Sequence, residues 1–471
     1  MQPPLTTEQL EKIKTTCQSV IDKNPKNKAA HHDLAVAEMQ LGNYKEAVAG
    51  FRTARDLDSR FTSAWYLGGV CLAELGEFDD AVYWWQRVLE LDKRHSDANY
   101  FIGKVYGMKG MWDMAIHQFN RAINLNDRSS LFYLGLAEMH LAKGDFKEAE
   151  KAWESALEID PNNIQALTNI SAIALELHDW EKAIVIAKRA IDLGATSSMV
   201  HYNMGMSCMA VGAYDLAIEY LEKACTFDSA DTSNLLALGE AYVTKGELDK
   251  GIRCWESIID QFPQHLDALY NLGLVYLHNQ MGDRSREYFI RALAIDPTYL
   301  PARINLGIYY HMLGDLEASL IEWEEVLKVD HQHGQALGNI AEILLLQERY
   351  DQAEERLTHA LSIYPDDSRL LFLKGWLAWE LNRYQEVLAS WHHARDGSAE
   401  VLQAYADRLR ILLATDGFEQ LSAIADKSTE SLLDELHKVL SGEAEEMDKL
   451  KQQNDLKEKR TLLDRIRDIF K

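Results

Sequence analysis

Proline is scarce in this chain of 471 residues, with eight occurrences. Proline breaks helix interiors by removing a backbone donor, so this scarcity suits a mostly helical chain. Cysteine is scarcer, at Cys17, Cys71, Cys208, Cys225 and Cys254. The five show no Cys-x-x-Cys spacing and sit in helical stretches, which reads them as reduced small hydrophobes. No stretch of about 18 uninterrupted apolar residues occurs, so no membrane span is expected. The N-terminal Met1-Gln2-Pro3-Pro4-Leu5-Thr6 lacks a basic stretch followed by an apolar run, so no secretory signal is expected. Positive charge is also short: 49 basic against 74 acidic residues gives a net charge of −25. That balance disfavours nucleic acid and favours basic partner segments, most of the charge belonging to a solvated outer surface. Phosphate loops, paired metal-ligand motifs and nucleophile turns are all missing. His31-His32, His331-Gln332-His333 and His392-His393 have no identifiable partner ligands. The expectation is a cytoplasmic protein without metal, cofactor or catalysis.

What the chain has in abundance is repetition. A small residue recurs at Ala35, Gly69, Gly103, Ala137, Ser171, Gly205, Gly239, Gly273, Gly307, Ala341 and Gly375, each step being 34 residues. Other columns share the register. Ala47, Ala81, Ala115, Ala149, Ala183 and Ala217 lie twelve residues on, and Ala54, Val88, Ala122, Ala156, Ala190 and Ala224 a further seven. Between those two columns sits a bulky one: Phe51, Trp85, Phe119, Trp153, Ala187, Leu221, Trp255, Phe289, Trp323, Leu357 and Trp391. Within a unit, apolar and small residues recur three or four apart, which is helical spacing. A first helix is predicted to end at a glycine, as at Gly42, Gly76, Gly110, Gly144, Gly212, Gly246 and Gly314. A second helix runs to an Asp-Pro-like turn, as at Asp160-Pro161 and Asp296-Pro297. Small residues let two helices approach, and the bulky one fills the gap to the next unit, so these tryptophans are read as core.

The motifs Trp65-Tyr66-Leu67-Gly68-Gly69 with Ala81 and Trp85, and Tyr270-Asn271-Leu272-Gly273-Leu274-Val275-Tyr276 with Ala292 and Pro297, resemble the tetratricopeptide repeat family. The resemblance covers eleven units over residues 28–401. It implies an all-α fold, a right-handed α-solenoid superhelix of about eleven to twelve helix pairs, working as a scaffold or adaptor that holds other proteins. Residues 1–27 read as an N-terminal half-repeat helix, and residues 402–440 as a degenerate repeat with capping helices, Leu409, Ile411 and Leu412 facing inward. Residues 441–471 read as a helical tail with 8 acidic and 8 basic side chains. Where His178 and Gln280 replace the turn glycine, and Val387 the alanine, loosened or re-angled packing is expected.

Helical periodicity directs positions 4, 7, 8 and 11 of each first helix at its partner and leaves positions 2, 5, 6, 9, 12 and 13 free. The resemblance implies that these free faces line a concave groove. At position 6 stands an asparagine series: Asn169, Asn203, Asn271, Asn305 and Asn339, interrupted by Ala237. A carboxamide both donates and accepts, so such a row suits an extended peptide of any sequence, although local bonding or hydration is an equal alternative. Aromatic and apolar candidates join it: Tyr66, Tyr100, Phe101, Tyr202, Met206, Met209, Tyr270, Ile304, Ile308, Phe372, Trp376 and Trp379. For Trp376 and Trp379, contact with the C-terminal cap is the competing role. Chaperone-binding members clamp a terminal carboxylate with groove cations, a mode for which this chain offers Lys104 alone. A second function remains open: a self-assembling or membrane-associated assembly factor anchored through its C-terminal amphipathic helix. Any membrane contact falls to residues 460–471.

Overall fold

A computed structural model describes residues 5–398, 400–414, 417–425 and 429–441. The described residues form 27 helices and no strand. Helix Thr7–Lys23 comes first, and pairs then follow whose first helices begin at Lys28, Thr62, Ser96, Ser130, Ile164, Ser198, Thr232, Leu266, Leu300, Gly334 and Ser368. The chain divides into two compact units, Met1–Ser207 and Cys208–Lys471.

One pair, Thr62–Glu74 with Phe78–Leu91, shows how sequence sets the local structure. Gly76 takes φ +78°, and the Glu77 amide donates to the Leu72 carbonyl at 2.9 Å, closing the first helix. After the second helix, Asp92 Oδ1 accepts the Arg94 amide at 3.0 Å, a tight aspartate turn into the next unit. Asp58 and Asp296 make the same bond to Arg60 and Thr298. The following first helix is capped by a side chain at the preceding residue: Asn27, His95, Asn163, His265, His333 and Asp367 each accept an amide three residues on. His333 thus serves as a helix cap, and His331 bonds the Leu327 carbonyl.

The expected loosening at His178 and Gln280 is not found. Both residues take the left-handed conformation themselves, φ +60° and +59°. The closing bonds survive, Asp179 amide to Ala174 carbonyl at 2.8 Å and Met281 amide to Tyr276 carbonyl at 2.9 Å. Core packing on both sides of these turns outweighs the strain of a side chain at positive φ. Val387 is fully buried in the core, so its extra bulk is also accommodated.

The small and bulky columns meet within each pair, where the sequence reading sends the bulky side chain to the gap with the next unit. Phe119 does both, lying against Gly103 and against Gly135 of the next pair. A methyl group placed on Gly239 or Gly375 would come within 2.3 Å of the Trp255 or Trp391 indole. Trp85, Trp153, Trp323, Trp391, Phe51, Phe119 and Phe289 are buried. Three of the indoles also register one helix on the other: Trp85, Trp255 and Trp391 Nε1 donate to the carbonyls of Tyr66, Leu236 and Phe372 at 3.1, 3.2 and 3.1 Å. Within the first unit one core runs from Ala35 to Val105 and another from Ala115 to Ile173. Within the second, one runs from Trp255 to Leu306 and another from Leu320 to Leu436.

The second unit ends in four short helices, Glu400–Ala404, Ala406–Leu412, Gly417–Ile424 and Glu430–Ser441. Leu402, Leu409, Leu412, Leu413, Leu421, Leu432 and Leu436 enter the core. Ile411, expected to face inward, is 65% exposed, because the helix breaks at Tyr405 and turns a different face to the core. The tail from residue 442 lies outside the described residues.

Candidate protein-binding surface

First helices pack on their own second helices, and several also pack beside the first helix of a neighbouring pair. Direct contacts join Lys28–Gln40 to Thr62–Glu74 and Ser96–Met108 to Ser130–Lys143 in the first unit. In the second unit they join Thr232–Lys245 to Leu266–His278, Leu266–His278 to Leu300–Met312, and Gly334–Leu346 to Ser368–Glu380. Single-helix periodicity counts only one of these neighbours, so the open face is narrower than the sequence implies.

Asn203 shows the consequence. It is 3% exposed, and its carboxamide lies 3.0 Å from Ser171 Oγ in either amide orientation. Ser171 and Asn203 form a buried polar contact, and Ala187 of the bulky column is also fully buried. Asn203 is therefore a core residue. The other asparagines are half-buried. Among the described residues, Asn169 and Asn271 have no side-chain hydrogen-bond partner. Asn305 Nδ2 donates to Tyr270 Oη at 3.3 Å and to the Pro301 carbonyl at 2.8 Å. Asn339 Oδ1 accepts from Arg369.

The aromatic candidates divide in the same way. In the first unit, Tyr66 lies 4.6 Å from His95 and 6.0 Å from Phe101, and Tyr100 5.2 Å from Phe101 and 5.3 Å from Phe132, centroid to centroid. The half-buried Tyr66, His95, Tyr100 and Phe101 rings form one continuous patch over the buried Phe132, with the Lys104 ammonium 5.9 Å from the Tyr100 centroid. Burial pushes the Tyr66 hydroxyl up to about 12, so it stays a neutral donor. Tyr202 and Met206 are half-buried at that unit's end. In the second unit, Tyr270, Ile304 and Ile308 are half-buried, with Tyr270 edge-on to Tyr299 at 5.7 Å.

Trp376 and Phe372 are not open. Trp376 is 1% exposed and Phe372 fully buried. Trp379 is covered by the cap, where a methyl on Gly417 would lie 2.9 Å from its ring. All three are occupied because the segment from Glu400 folds over the last pair. The sequence reading missed the most exposed apolar groups of this layer. These are Met108, Leu131, Leu141 and Met199 in the first unit, and Met312, 72% exposed, in the second. They stand at positions 2, 12 and 13, within the predicted face, but a methionine or leucine there is indistinguishable in sequence from core. It also missed Arg369, a position 2 cation on this face that is held by Glu342 at 2.7 Å.

Tetratricopeptide repeat models match residues 32–99, 236–300 and 339–386, residues 130–163, and residues 200–231. The chain belongs to the tetratricopeptide repeat family. Among similar repeat proteins, BBSome complex member BBS4 of Bos taurus is 25% identical over 149 residues, 32% of this chain and 29% of that protein. Anaphase-promoting complex subunit 3 of Schizosaccharomyces pombe is 27% identical over 137 residues, 29% and 21% of the two chains. The type IV pilus assembly protein PilF of Pseudomonas aeruginosa is 27% identical over 119 residues, 25% and 47%. The matched stretches span less than half the length of each of these relatives. Among solved structures, YrrB, a tetratricopeptide repeat protein with a peptide-binding site, aligns with TM-score 0.35 and 23% identity over 39% of this chain and 95% of its own. The Cut9–Hcn1 assembly aligns with TM-score 0.37 and 16% identity over 83% and 91%. No helix among the described residues is long and apolar enough to cross a membrane.

Proposed function

We propose that this tetratricopeptide repeat chain is a non-catalytic cytoplasmic scaffold whose first-helix faces form a concave groove for a partner protein segment. One observation supports the reading: Asn169 and Asn271 keep a half-buried carboxamide with no hydrogen-bond partner among the described residues, Asn271 beside the half-buried Tyr270 ring. A half-buried amide with both donor and acceptor unused fits a peptide backbone. The net charge of −25 favours a basic segment. The relatives are named as members of a complex, a subunit and an assembly protein, which agrees with a role in holding proteins together.

The test is affinity capture of partners from native cells by the full chain, compared with Asn271→Ala plus Tyr270→Ala. Capture should fall at least tenfold while circular dichroism is unchanged. Undiminished capture by the variant would sink the groove reading. Self-assembly through residues 460–471, which lie outside the described residues, would instead appear as a change in oligomeric mass on truncation after Leu440.

A further inference from the structure

The last pair of the second unit carries a site that is already filled. Its floor is built from first-helix positions 2, 5, 9 and 13: Arg369, Phe372, Trp376 and Glu380, with Glu342 from position 9 of the preceding pair. Onto it folds the segment Glu400–Leu413, which places two side chains three residues apart. The Tyr405 ring stacks on Phe372, centroids 4.3 Å apart at 15°. Its hydroxyl accepts from Arg369 Nε at 2.8 Å and donates to Glu342 Oε2 at 3.0 Å. The Arg408 guanidinium lies 3.8 Å from the Trp376 centroid and donates to Glu380 Oε1 at 3.1 Å. Trp376 Nε1 donates to the same oxygen at 2.9 Å.

This arrangement differs from one more repeat continued in register. At the position equivalent to Tyr405, regular first helices direct the side chain toward their own second helix, as Arg303 does in bonding Glu322 at 3.0 Å. Here the helix breaks at Tyr405, and the side chain reaches back across two pairs to Glu342. The fit is also incomplete, because Arg408 Nε is buried with no acceptor among the described residues. A half-buried guanidinium whose Nε is short of one bond is a contact that a better ligand can replace.

We propose that Glu342, Arg369, Trp376 and Glu380 form a recognition site for a partner helix bearing an aromatic residue and an arginine three residues apart, and that Glu400–Leu413 is its internal stand-in. The proposal rests on reading the first-helix face as the binding surface. The Glu380 carboxylate and the Trp376 face select a planar cation, and Phe372 with Arg369 and Glu342 selects an aromatic hydroxyl. Lysine in place of arginine loses the stacked plane. The segment keeps this end of the face closed until a competing helix arrives.

The experiment uses the full chain carrying Tyr405→Ala and Arg408→Ala, which removes the two side chains that occupy the site. The probe is a fluorescent alanine-based helical peptide with one tyrosine and, three residues on, one arginine. Anisotropy should show saturable binding to the variant, at least tenfold weaker binding to the wild-type chain, and at least tenfold loss when the peptide arginine is replaced by alanine. Equal binding to both chains, or none to a variant with native circular dichroism, overturns the proposal. Should the double variant unfold, Arg408→Ala alone with the same peptide reads the cation position, and equal affinity for the arginine and alanine peptides overturns it. Because the groove reading is tested at Tyr270 and Asn271, away from this site, failure of one is distinguishable from failure of the other.

Discussion

Asn203 and Asn271 occupy the same position of the repeat and do different work. Asn203 is buried and bonds Ser171, so its truncation removes a buried polar partner. Asn203→Ala should lower stability by roughly 1–3 kcal/mol in a urea titration. Asn271→Ala should leave the urea midpoint almost unchanged, because that carboxamide has no bond to another described residue to lose. His178 makes a similar point about backbone. A residue with a β-carbon at φ +60° carries strain that glycine does not, offset in part by glycine's greater freedom in the unfolded chain. His178→Gly should therefore stabilise the chain by about 0.5–1 kcal/mol, read from the same titration. A loss of stability would show that the His178 ring, 4.8 Å from Trp180, contributes more than the strain costs.

At the scale of helices, successive pairs are linked by a device that no single column revealed. Position 14 of one unit reaches position 18 of the unit before. Lys143 pairs with Asp113 at 2.8 Å and Lys245 with Asp215 at 2.7 Å, Lys109 with Asp79 likewise, and Gln347 bonds Glu317 at 3.1 Å. The partners lie thirty residues apart and on different helices, so neither helical spacing nor a single repeat brings them together. The pairs are exposed, so they tune the register of neighbouring units more than they stabilise the fold. Lys143→Glu should lower the melting temperature in low salt, and the drop should shrink in 1 M salt, where screening acts within about 3 Å. Adding Asp113→Lys should restore the wild-type value. A drop that is the same in both salts would assign the effect to packing.

For the molecule as a whole, the buried thiols and phenols set an alkaline limit. Burial pushes Cys71 and Cys208 up to about 12, and Cys225 and Cys254 up to about 11. Tyr66 and Tyr405 are likewise pushed up to about 12. Once unfolded, a thiol ionises near 8.5 and a phenol near 10. Between these values and the folded ones the unfolded chain releases protons that the folded chain keeps, so rising pH favours unfolding. Stability should hold to about pH 8 and fall progressively toward pH 12. Urea midpoints at pH 8 and pH 10.5 measure it, and Cys71→Ala with Cys208→Ala should reduce the difference. An unchanged difference would place the loss elsewhere.

The sequence by itself determined the helix pairs, their 34-residue register and the small and bulky columns. It could do so because each of these rests on contacts between neighbours along the chain, repeated many times in one frame. The small and bulky character of the Gly375 and Trp391 columns is legible without a structure, although their direct contact within one pair is not. Only the tertiary structure decided which face residues stay open. That depends on helices packed side by side, which closed the surface at Asn203, and on where the end of the chain folds, which closed it at Trp376 and Trp379. Neither is periodic, so no column could record it. Tyr405 and Arg408, unremarkable within a degenerate repeat, became the occupants of a binding face because one helix break turned them onto it.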